Sequence, residues 1–108
     1  MTAPFVTQLR TRGAALQIAA AGAPAITVRV EMPEVWDTVK AVISPSEPVM
    51  TLKMAALDAL FRSGESHEEF VLKVRGWEVL DEHASLADAG ARDGSIFLLT
   101  YRRRRAVR

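Results

Sequence analysis

The stretch Pro45-Ser46-Glu47-Pro48-Val49-Met50-Thr51-Leu52-Lys53 decides the fold, because it begins the one strong helical pattern of the chain. Ser46 is a suitable helix cap, Glu47 suits the first turn, and Gly64 is placed to end the helix after Ser63. We therefore expect a helix from about Glu47 to Arg62. It would carry two neighbouring apolar stripes, one of Val49, Leu52, Ala56 and Leu60 and the other of Met50, Met54, Leu57 and Phe61.

Strand patterns lie on both sides of this helix. Before it, a turn at Met32-Pro33-Glu34 joins two alternating segments, whose predicted inward residues are Ile26, Val28 and Val30, then Val39, Ala41 and Ile43. After it come Phe70, Leu72 and Val74, a turn at Gly76 and Trp77, a short helical turn over Ser85-Leu86-Ala87-Asp88, a turn over Arg92-Asp93-Gly94-Ser95, and a last strand with Phe97 and Leu99. This order predicts an α+β fold in which a mixed sheet of four to five strands wraps one main helix, with the first and last strands side by side.

Length and composition bound the class of protein. A chain of 108 residues, 49% hydrophobic and 25% charged with a net charge of +1, is typical of one soluble domain. It has no cysteine, which excludes disulfides, thiolate metal sites and iron–sulfur clusters and suits a reducing cytoplasm, where we expect the protein to act. We expect no cofactor.

The positions of helix- and strand-breaking residues and of charged residues divide the chain into three predicted parts. The cluster Ala21-Gly22-Ala23-Pro24 separates an N-terminal extension, residues 1–25, from the periodic part, residues 26–101. A basic tail follows over residues 102–108. The extension also resembles a weak signal or transit peptide, but its apolar stretch is short and is interrupted by Gln17.

Several residues of the periodic part are similar to those of ubiquitin. They are the Pro45-Ser46 pair before the helix, Val49, Leu52 and Lys53 within it, Leu80-Asp81-Glu82, and Ser85-Leu86-Ala87-Asp88. The chain therefore resembles the ubiquitin-like β-grasp family. Independently, the place of Lys53 in an apolar stripe predicts that its stem packs and that its ammonium group meets a carboxylate. The resemblance implies that this partner is Glu82.

Two departures from ubiquitin bear on function. Conjugated relatives and sulfur carriers need a C-terminal Gly-Gly, whereas the matching tail here is arginine, so we expect a protein that is not conjugated. The receptor-binding patch of ubiquitin is also altered, because its isoleucine, histidine and valine positions fall on Lys73, Leu98 and Thr100. A mixed surface of Val71, Lys73, Leu98 and Thr100 is one candidate contact site, and the alternative is that these are ordinary half-exposed sheet residues.

Enzyme chemistry has little support in the sequence. His67 and His83 both lie in acid-rich loops and are expected to be solvated rather than to bind a metal. Ser/His/Asp signatures, zinc spacings and phosphate-binding glycine loops do not occur. We therefore expect neither an enzyme, nor a metal site, nor a small-molecule substrate.

The strongest electrostatic feature is the run Arg102, Arg103, Arg104 and Arg105, with Arg108 beyond it. Such a tail can be solvated without a specific role, dock on an acidic protein groove, or bind nucleic acid or an anionic membrane surface. Trp36 and Trp77 are not interleaved with these arginines, so base stacking beside the run has no support.

The second helix stripe, Met50, Met54, Leu57 and Phe61, exceeds what one sheet face needs and should be covered by something. One candidate is the extension, through Phe5, Val6, Leu9 and Leu16, folded back on its own domain or exchanged with a second copy. A partner protein is the other candidate.

The function that these patterns favour is a non-covalent protein-interaction module, an adaptor or subunit of a larger assembly. The resemblance suggests small bacterial ubiquitin-like proteins without Gly-Gly that are associated with type VII secretion. The alternative is a basic accessory domain that binds nucleic acid, and a covalent modifier or sulfur carrier is the third class.

Overall fold

Alternation of apolar and polar residues produces the sheet that the sequence predicts. In the computed structural model, which describes residues 15–20, 22–61 and 66–102, six strands form one mixed sheet in the order β1-β3-β2-β6-β4-β5. Their bounds are β1 Leu16–Gln17, β2 Ile26–Met32, β3 Asp37–Ile43, β4 Phe70–Val74, β5 Trp77–Glu78 and β6 Ile96–Tyr101, and the helix α1 spans Val49–Leu60. The β-grasp arrangement is confirmed, and the strands beyond the predicted number are the two-residue edge strands β1 and β5.

The first hairpin has the predicted inward residues on both of its strands. Val30 pairs with Val39 and Val28 with Ala41, so that all four side chains enter the core. Its turn is longer than predicted: a 3₁₀ turn over Pro33–Val35 is followed by Trp36, whose φ of 53° is left-handed.

The first and last long strands lie side by side, as expected. β2 and β6 are parallel, with Val30 opposite Phe97. The turn before β6 holds the start of β2, since the Asp93 carboxylate accepts from the Thr27 N–H at 2.8 Å and the Gly94 N–H donates to the Thr27 carbonyl at 2.7 Å. This parallel pair closes the sheet around α1.

The helix begins and ends differently from the prediction. Ser46 does not cap it, because the Ser46 hydroxyl contacts that of Ser44 and the N-cap residue is Pro48. Instead, the N–H of Val49 donates to the carbonyl of Ala84 at 2.9 Å and the N–H of Met50 donates to that of Glu82 at 2.8 Å. These bonds satisfy donors that every helix start leaves unpaired, and they tie α1 to residues 82–84. The helix ends at Leu60, before the predicted stop at Gly64, which lies outside the described residues.

The core lies between α1 and one face of the sheet. Its largest fully buried side chains include Phe70, Phe97, Met32, Ile43, Leu52, Leu72, Leu86 and Leu99. Packing of this kind contributes about 1.5–3 kcal/mol for each large side chain removed from water, before conformational entropy is set against it.

Part of the predicted extension belongs to the sheet. Leu16 and Gln17 form β1, which runs parallel to β3 with Leu16 opposite Ala41. Leu16 and Ile18 pack against the core cluster. Structure therefore begins before the predicted boundary near Ala25, whereas Phe5, Val6 and Leu9 lie outside the described residues.

The second hairpin corrects two expectations. Its turn residues are Arg75 and Gly76, with φ of 56° and 82°, and Trp77 already begins β5. Two central residues with positive φ match the twist of the strands, which is why this short loop suits glycine. Val79 is buried at 9% exposure, whereas Leu80, the residue matched to a leucine of ubiquitin, is 86% exposed. Val79, and not Leu80, is therefore the residue of this loop that enters the core.

The short turn after this loop follows its predicted chemistry without forming a helix. The Asp88 N–H donates to the Ser85 hydroxyl at 3.0 Å, and residues 86–90 form hydrogen-bonded turns. In the described part of the chain, no helix is both long enough and apolar enough to cross a membrane.

Candidate protein-interaction surfaces

One face of the sheet points away from α1, and we call it the outer face. Strand alternation places on it every second residue of the four long strands, namely Thr27, Arg29, Glu31, Thr38, Lys40, Val42, Val71, Lys73, Ile96, Leu98 and Thr100. Its chemistry is mixed, with polar, charged and apolar side chains in neighbouring rows.

The four residues predicted to form a contact site are brought together. Lys73 is paired with Leu98 and Val71 with Thr100, in adjacent rows of the outer face. Val71, however, is only 2% exposed, so it is a buried residue and not part of an accessible surface. Lys73, Leu98 and Thr100 are half-buried. The accessible part of this site therefore consists of these three residues.

A basic pair lies farther along the outer face. Arg29 and Lys40 are direct cross-strand partners, and Arg29 is also opposite Ile96, which is 49% exposed. These three residues line a shallow cavity of about 280 Å³. Among the described residues, no carboxylate lies within ion-pair distance of either cation. Like charges opposite each other destabilise a sheet, so the pair is not explained by the fold.

The tip of the first hairpin is fixed to the last strand by Glu34. Its carboxylate accepts from the Thr100 hydroxyl at 2.6 Å and from the Tyr101 N–H at 3.3 Å. Partial burial raises the pKa of the Glu34 carboxyl, but the hydrogen bonds from Thr100, its own N–H and Tyr101 outweigh this, and the pKa lies below its ordinary value. The tip thus holds Trp36, which is 94% exposed, on an anchored turn.

The start of the basic tail is bound to the domain. The Arg102 N–H donates to the Glu69 carbonyl at 2.6 Å, and its side chain donates to the Glu68 carbonyl at 2.9 Å and meets the Glu78 carboxylate at 3.5 Å. The basic tail was predicted to begin at Arg102, but this residue is bound to the domain. Arg103, Arg104, Arg105 and Arg108 lie outside the described residues.

The second helix stripe is mostly covered by the domain itself. Leu57 belongs to the core, Met50 is half-buried, and Phe61 packs edge-to-face on Phe70 with ring centroids 5.7 Å apart. Only Met54 of this stripe is largely accessible, at 47%. The stripe as a whole is therefore not the apolar surface that the sequence suggested.

A groove that the sequence did not indicate lies beside the second hairpin, and we call it the hairpin groove. It has a volume of about 460 Å³ and lies between the hairpin and residues 84–90. Two accessible apolar side chains line it, Trp77 at 77% exposure and Leu80 at 86%. The exposure of Leu80 could not be read from the pattern, because Val79 beside it is equally apolar.

Lys53 and Glu82 form the predicted ion pair. Lys53 is fully buried, and its ammonium group donates to both carboxylate oxygens of Glu82, at 3.0 and 2.8 Å. Glu82 is also the residue whose carbonyl caps α1. The pair therefore stabilises the contact between the helix start and the loop before Ser85.

The two histidines do not form a comparable side-chain pair in the described residues. His83 is exposed, and the half-buried His67 has an Nδ1 without a hydrogen-bond partner in the described residues. Over the same residues, no group of three or more histidine, cysteine or acidic side chains could hold a metal ion.

Comparisons with known proteins bear on the fold. A scan against protein-family models and a search of curated proteins both return no match. Among solved structures, the ubiquitin-like domain of an Arabidopsis thaliana protein has a TM-score of 0.63 at 20% identity, covering 84% of this chain and 93% of that domain. Ubiquitin of Caldiarchaeum subterraneum has a TM-score of 0.61 at 14% identity, covering 73% and 95%.

A protein designed on the basis of ubiquitin is similar to the same degree, with a TM-score of 0.62 at 16% identity, covering 75% of this chain and 93% of the design. At such identities a likeness speaks for the fold and not for the activity. These similarities, with the parallel β2–β6 pair and the single long helix of the described residues, show that the chain has the ubiquitin-like β-grasp fold.

Proposed function

We propose that this chain is a non-covalent protein-interaction module, an adaptor or subunit of a larger assembly, and that it binds its partner through the outer face. The observation that carries the proposal is the set of Arg29, Lys40 and Ile96. Ile96 is an accessible apolar side chain, and Arg29 and Lys40 beside it have no carboxylate partner in the described residues. An arrangement that destabilises the isolated domain is explained if a partner supplies the missing acids.

The chemistry of this patch indicates what such a partner presents. Ile96 offers an apolar contact, and the two cations next to it would attract carboxylates and speed association. The half-buried Leu98 lies one row away and extends the apolar strip toward Lys73. We therefore expect a partner surface with an apolar side chain flanked by acidic residues.

The non-covalent character is a part of the proposal that the sequence supports. None of the six glycines in these 108 residues is followed by a second glycine, the pair that conjugated ubiquitin-like proteins use. A thiocarboxylate or isopeptide adduct on the chain, found by mass spectrometry of the native protein, would overturn this part.

The experiment is affinity capture from an extract of the source organism with three proteins: the natural chain, an outer-face variant with Ile96→Glu and Lys40→Glu, and a control with Met54→Glu. The control adds a charge at an accessible position of α1. We expect one protein that the natural chain and the control retain and that the outer-face variant loses. Circular dichroism would confirm that all three are folded.

Two outcomes contradict the proposal. Capture that survives the outer-face changes would exclude this face as the binding site. A captured species that nuclease removes, with steep salt dependence, would favour the nucleic-acid alternative. The identity of the captured protein also tests the finer proposal of a bacterial secretion-associated assembly.

A further inference from the structure

The hairpin groove contains apolar side chains that the fold does not require. Trp77 and Leu80 line it, and both are more than three-quarters exposed. Burial is available to this loop, since Val79 lies in the core. Accessible tryptophan and leucine around a groove are typical of a site that another molecule covers.

The edge of the sheet beside the groove is open. β5 is the last strand of the sheet and pairs with β4 alone. The Val79 N–H donates to the Leu72 carbonyl at 2.8 Å, so the alternation of an antiparallel ladder turns the backbone of Glu78 away from β4. In the described part of the chain, the Leu80 N–H has no acceptor either. Glu78 and Leu80 thus offer backbone groups with which a further strand can pair.

The side chains of β5 leave this edge accessible. A charged side chain on an edge strand usually discourages pairing with another chain. Glu78 is the charged residue of β5, but it lies on the face of Lys73 and meets the Arg102 guanidinium at 3.5 Å. Trp77 is on the face of Val74 and lines the groove. The charge of the edge is therefore held on the opposite face, and the groove side is apolar.

Two acidic side chains indicate the charge of the occupant. Asp81 and Asp88 line the groove and are exposed, and Arg75 is the one cation among the lining residues. The Asp81 carboxylate accepts from the His83 N–H at 3.0 Å. The Asp88 carboxylate has no hydrogen bond or ion pair to any described residue. The groove therefore suits a segment that carries positive charge as well as apolar groups.

The wall of the groove formed by residues 84–90 is held in place by hydrogen bonds of the domain. The Asp88 N–H donates to the Ser85 hydroxyl, and the Ala89 N–H donates to the Ser85 carbonyl, both at 3.0 Å. The Gly90 N–H donates to the Ala87 carbonyl, also at 3.0 Å. The groove is thus formed before a ligand arrives, which lowers the cost of ordering on binding.

We propose that an extended segment of a partner protein binds in the hairpin groove as an added strand beside β5. Its backbone pairs with Glu78 and Leu80. An apolar side chain of the segment packs against Trp77, and a lysine or arginine pairs with Asp88. Such strand addition gains affinity from main-chain hydrogen bonds and specificity from the side chains. The groove shares no lining residue with the cavity at Ile96, so the proposal is independent of the proposed function.

The first experiment selects binders of the full chain from a library of random peptides of about eight residues, long enough to cover an edge strand. We expect enriched sequences in which lysine or arginine accompanies an aliphatic or aromatic residue. The selected peptides are then titrated onto variants. Trp77→Ser should weaken binding by about tenfold or more, as truncation of an aromatic anchor does. Asp88→Asn should weaken it by about two- to fivefold, as expected for an exposed ion pair.

Matched variants outside the groove are the controls. Ile96→Ser removes an accessible apolar side chain and Glu31→Gln removes one negative charge, both on the outer face. Each should leave the affinity for the selected peptides unchanged. Circular dichroism would confirm that all the variants are folded.

Amide hydrogen exchange tests the strand pairing itself, which docking of side chains alone would not produce. Bound peptide should slow exchange of the Glu78 and Leu80 amides by about tenfold, the factor that corresponds to one net hydrogen bond. The Val79 amide is the internal reference, because it already donates to the Leu72 carbonyl, and its exchange should change much less.

Three results would overturn the proposal. The library could yield no binders, or only acidic ones. Binding could be lost in Ile96→Ser and retained in Trp77→Ser, which would place the peptides on the outer face. Exchange of the Glu78 and Leu80 amides that is unchanged in the saturated complex would show that the peptide adds no strand to the sheet.

Discussion

The two faces of the sheet handle positive charge in opposite ways. On the helix side, Lys53 is fully buried and each oxygen of the Glu82 carboxylate accepts from it. On the outer face, Arg29 and Lys40 lie opposite each other in water, and no carboxylate of the described residues pairs with them. The difference teaches that the buried cation has a carboxylate, as its burial requires, whereas these two exposed cations have none among the described residues.

The largest effect should come from breaking the compensated pair. Glu82→Ala leaves the Lys53 ammonium buried without a carboxylate, and breaking a buried pair in this way lowers the free energy of unfolding by about 3–5 kcal/mol. Urea denaturation followed by circular dichroism measures this loss.

A double variant separates the charge from the packing. Lys53→Met with Glu82→Gln removes both charges and keeps most of the volume, so it should recover much of the stability lost by Glu82→Ala. If the double variant is as unstable as Glu82→Ala, the stability loss comes mainly from the lost contact with the loop and not from the unpaired buried charge. Near-natural stability of Glu82→Ala would contradict the comparison itself.

The next effect distinguishes neighbours on opposite sides of the same loop. Val79→Ala removes two buried methyl groups and should lower the free energy of unfolding by about 1–2 kcal/mol. Leu80→Ala changes an exposed side chain and should stay within about 0.5 kcal/mol. The two midpoints in urea give the answer directly, and equal losses would show that Leu80 is covered in solution.

A smaller effect of opposite sign is expected on the outer face. Lys40→Glu converts the like-charged pair with Arg29 into an opposite-charged one, which should stabilise the protein by about 0.2–1 kcal/mol. The gain should shrink in high salt. Lys40→Gln is the control, because it removes the repulsion without adding attraction, and its gain should be the smaller of the two. A stability loss in Lys40→Glu would mean that Lys40 has another partner.

The apolar periodicity of the sequence predicted most of the fold but little about which residues form accessible surfaces. The inward residues of β2 and β3 could be predicted because one buried face imposes a period of two, and a one-residue slip would expose them all. The Lys53–Glu82 pair required the resemblance, since nothing local links residues that far apart in sequence. The Arg29–Lys40 pair could have been predicted from the sequence, because the register of the hairpin places these two residues opposite each other.

Three features could not be predicted, for physical reasons. The cap of α1 comes from backbone carbonyls of residues 82 and 84, which have no side-chain signature. The burial of Val79 rather than Leu80 depends on the path of the loop, and the two residues are equally apolar. Val71 is buried although it is on the outer face, at the end of β4 where the Arg102 side chain reaches Glu68 and Glu78.

The smallest effect concerns Glu34 at the tip of the first hairpin. Its carboxylate is a third case for the comparison, because it is exposed and yet hydrogen-bonded. The pKa of Glu34 lies below its ordinary value of 4.5, so the unfolded chain binds its proton at a higher pH than the folded protein does. Stability from this group is therefore present above pH 4.5 and is lost as the pH falls through the folded pKa.

Glu34→Gln removes this titration while keeping an oxygen that can accept from Thr100. The natural chain should be slightly more stable than the variant at neutral pH, and the difference in melting temperature should vanish as the solution is acidified below pH 4.5. Repeating the pair in a Thr100→Val background should shrink the neutral-pH difference, because the 2.6 Å hydroxyl donor is gone and only the backbone donors remain. A difference that grows in acid would have the wrong sign for a lowered pKa, and it would mean that Glu34 is held by burial and not by its hydrogen bonds to β6.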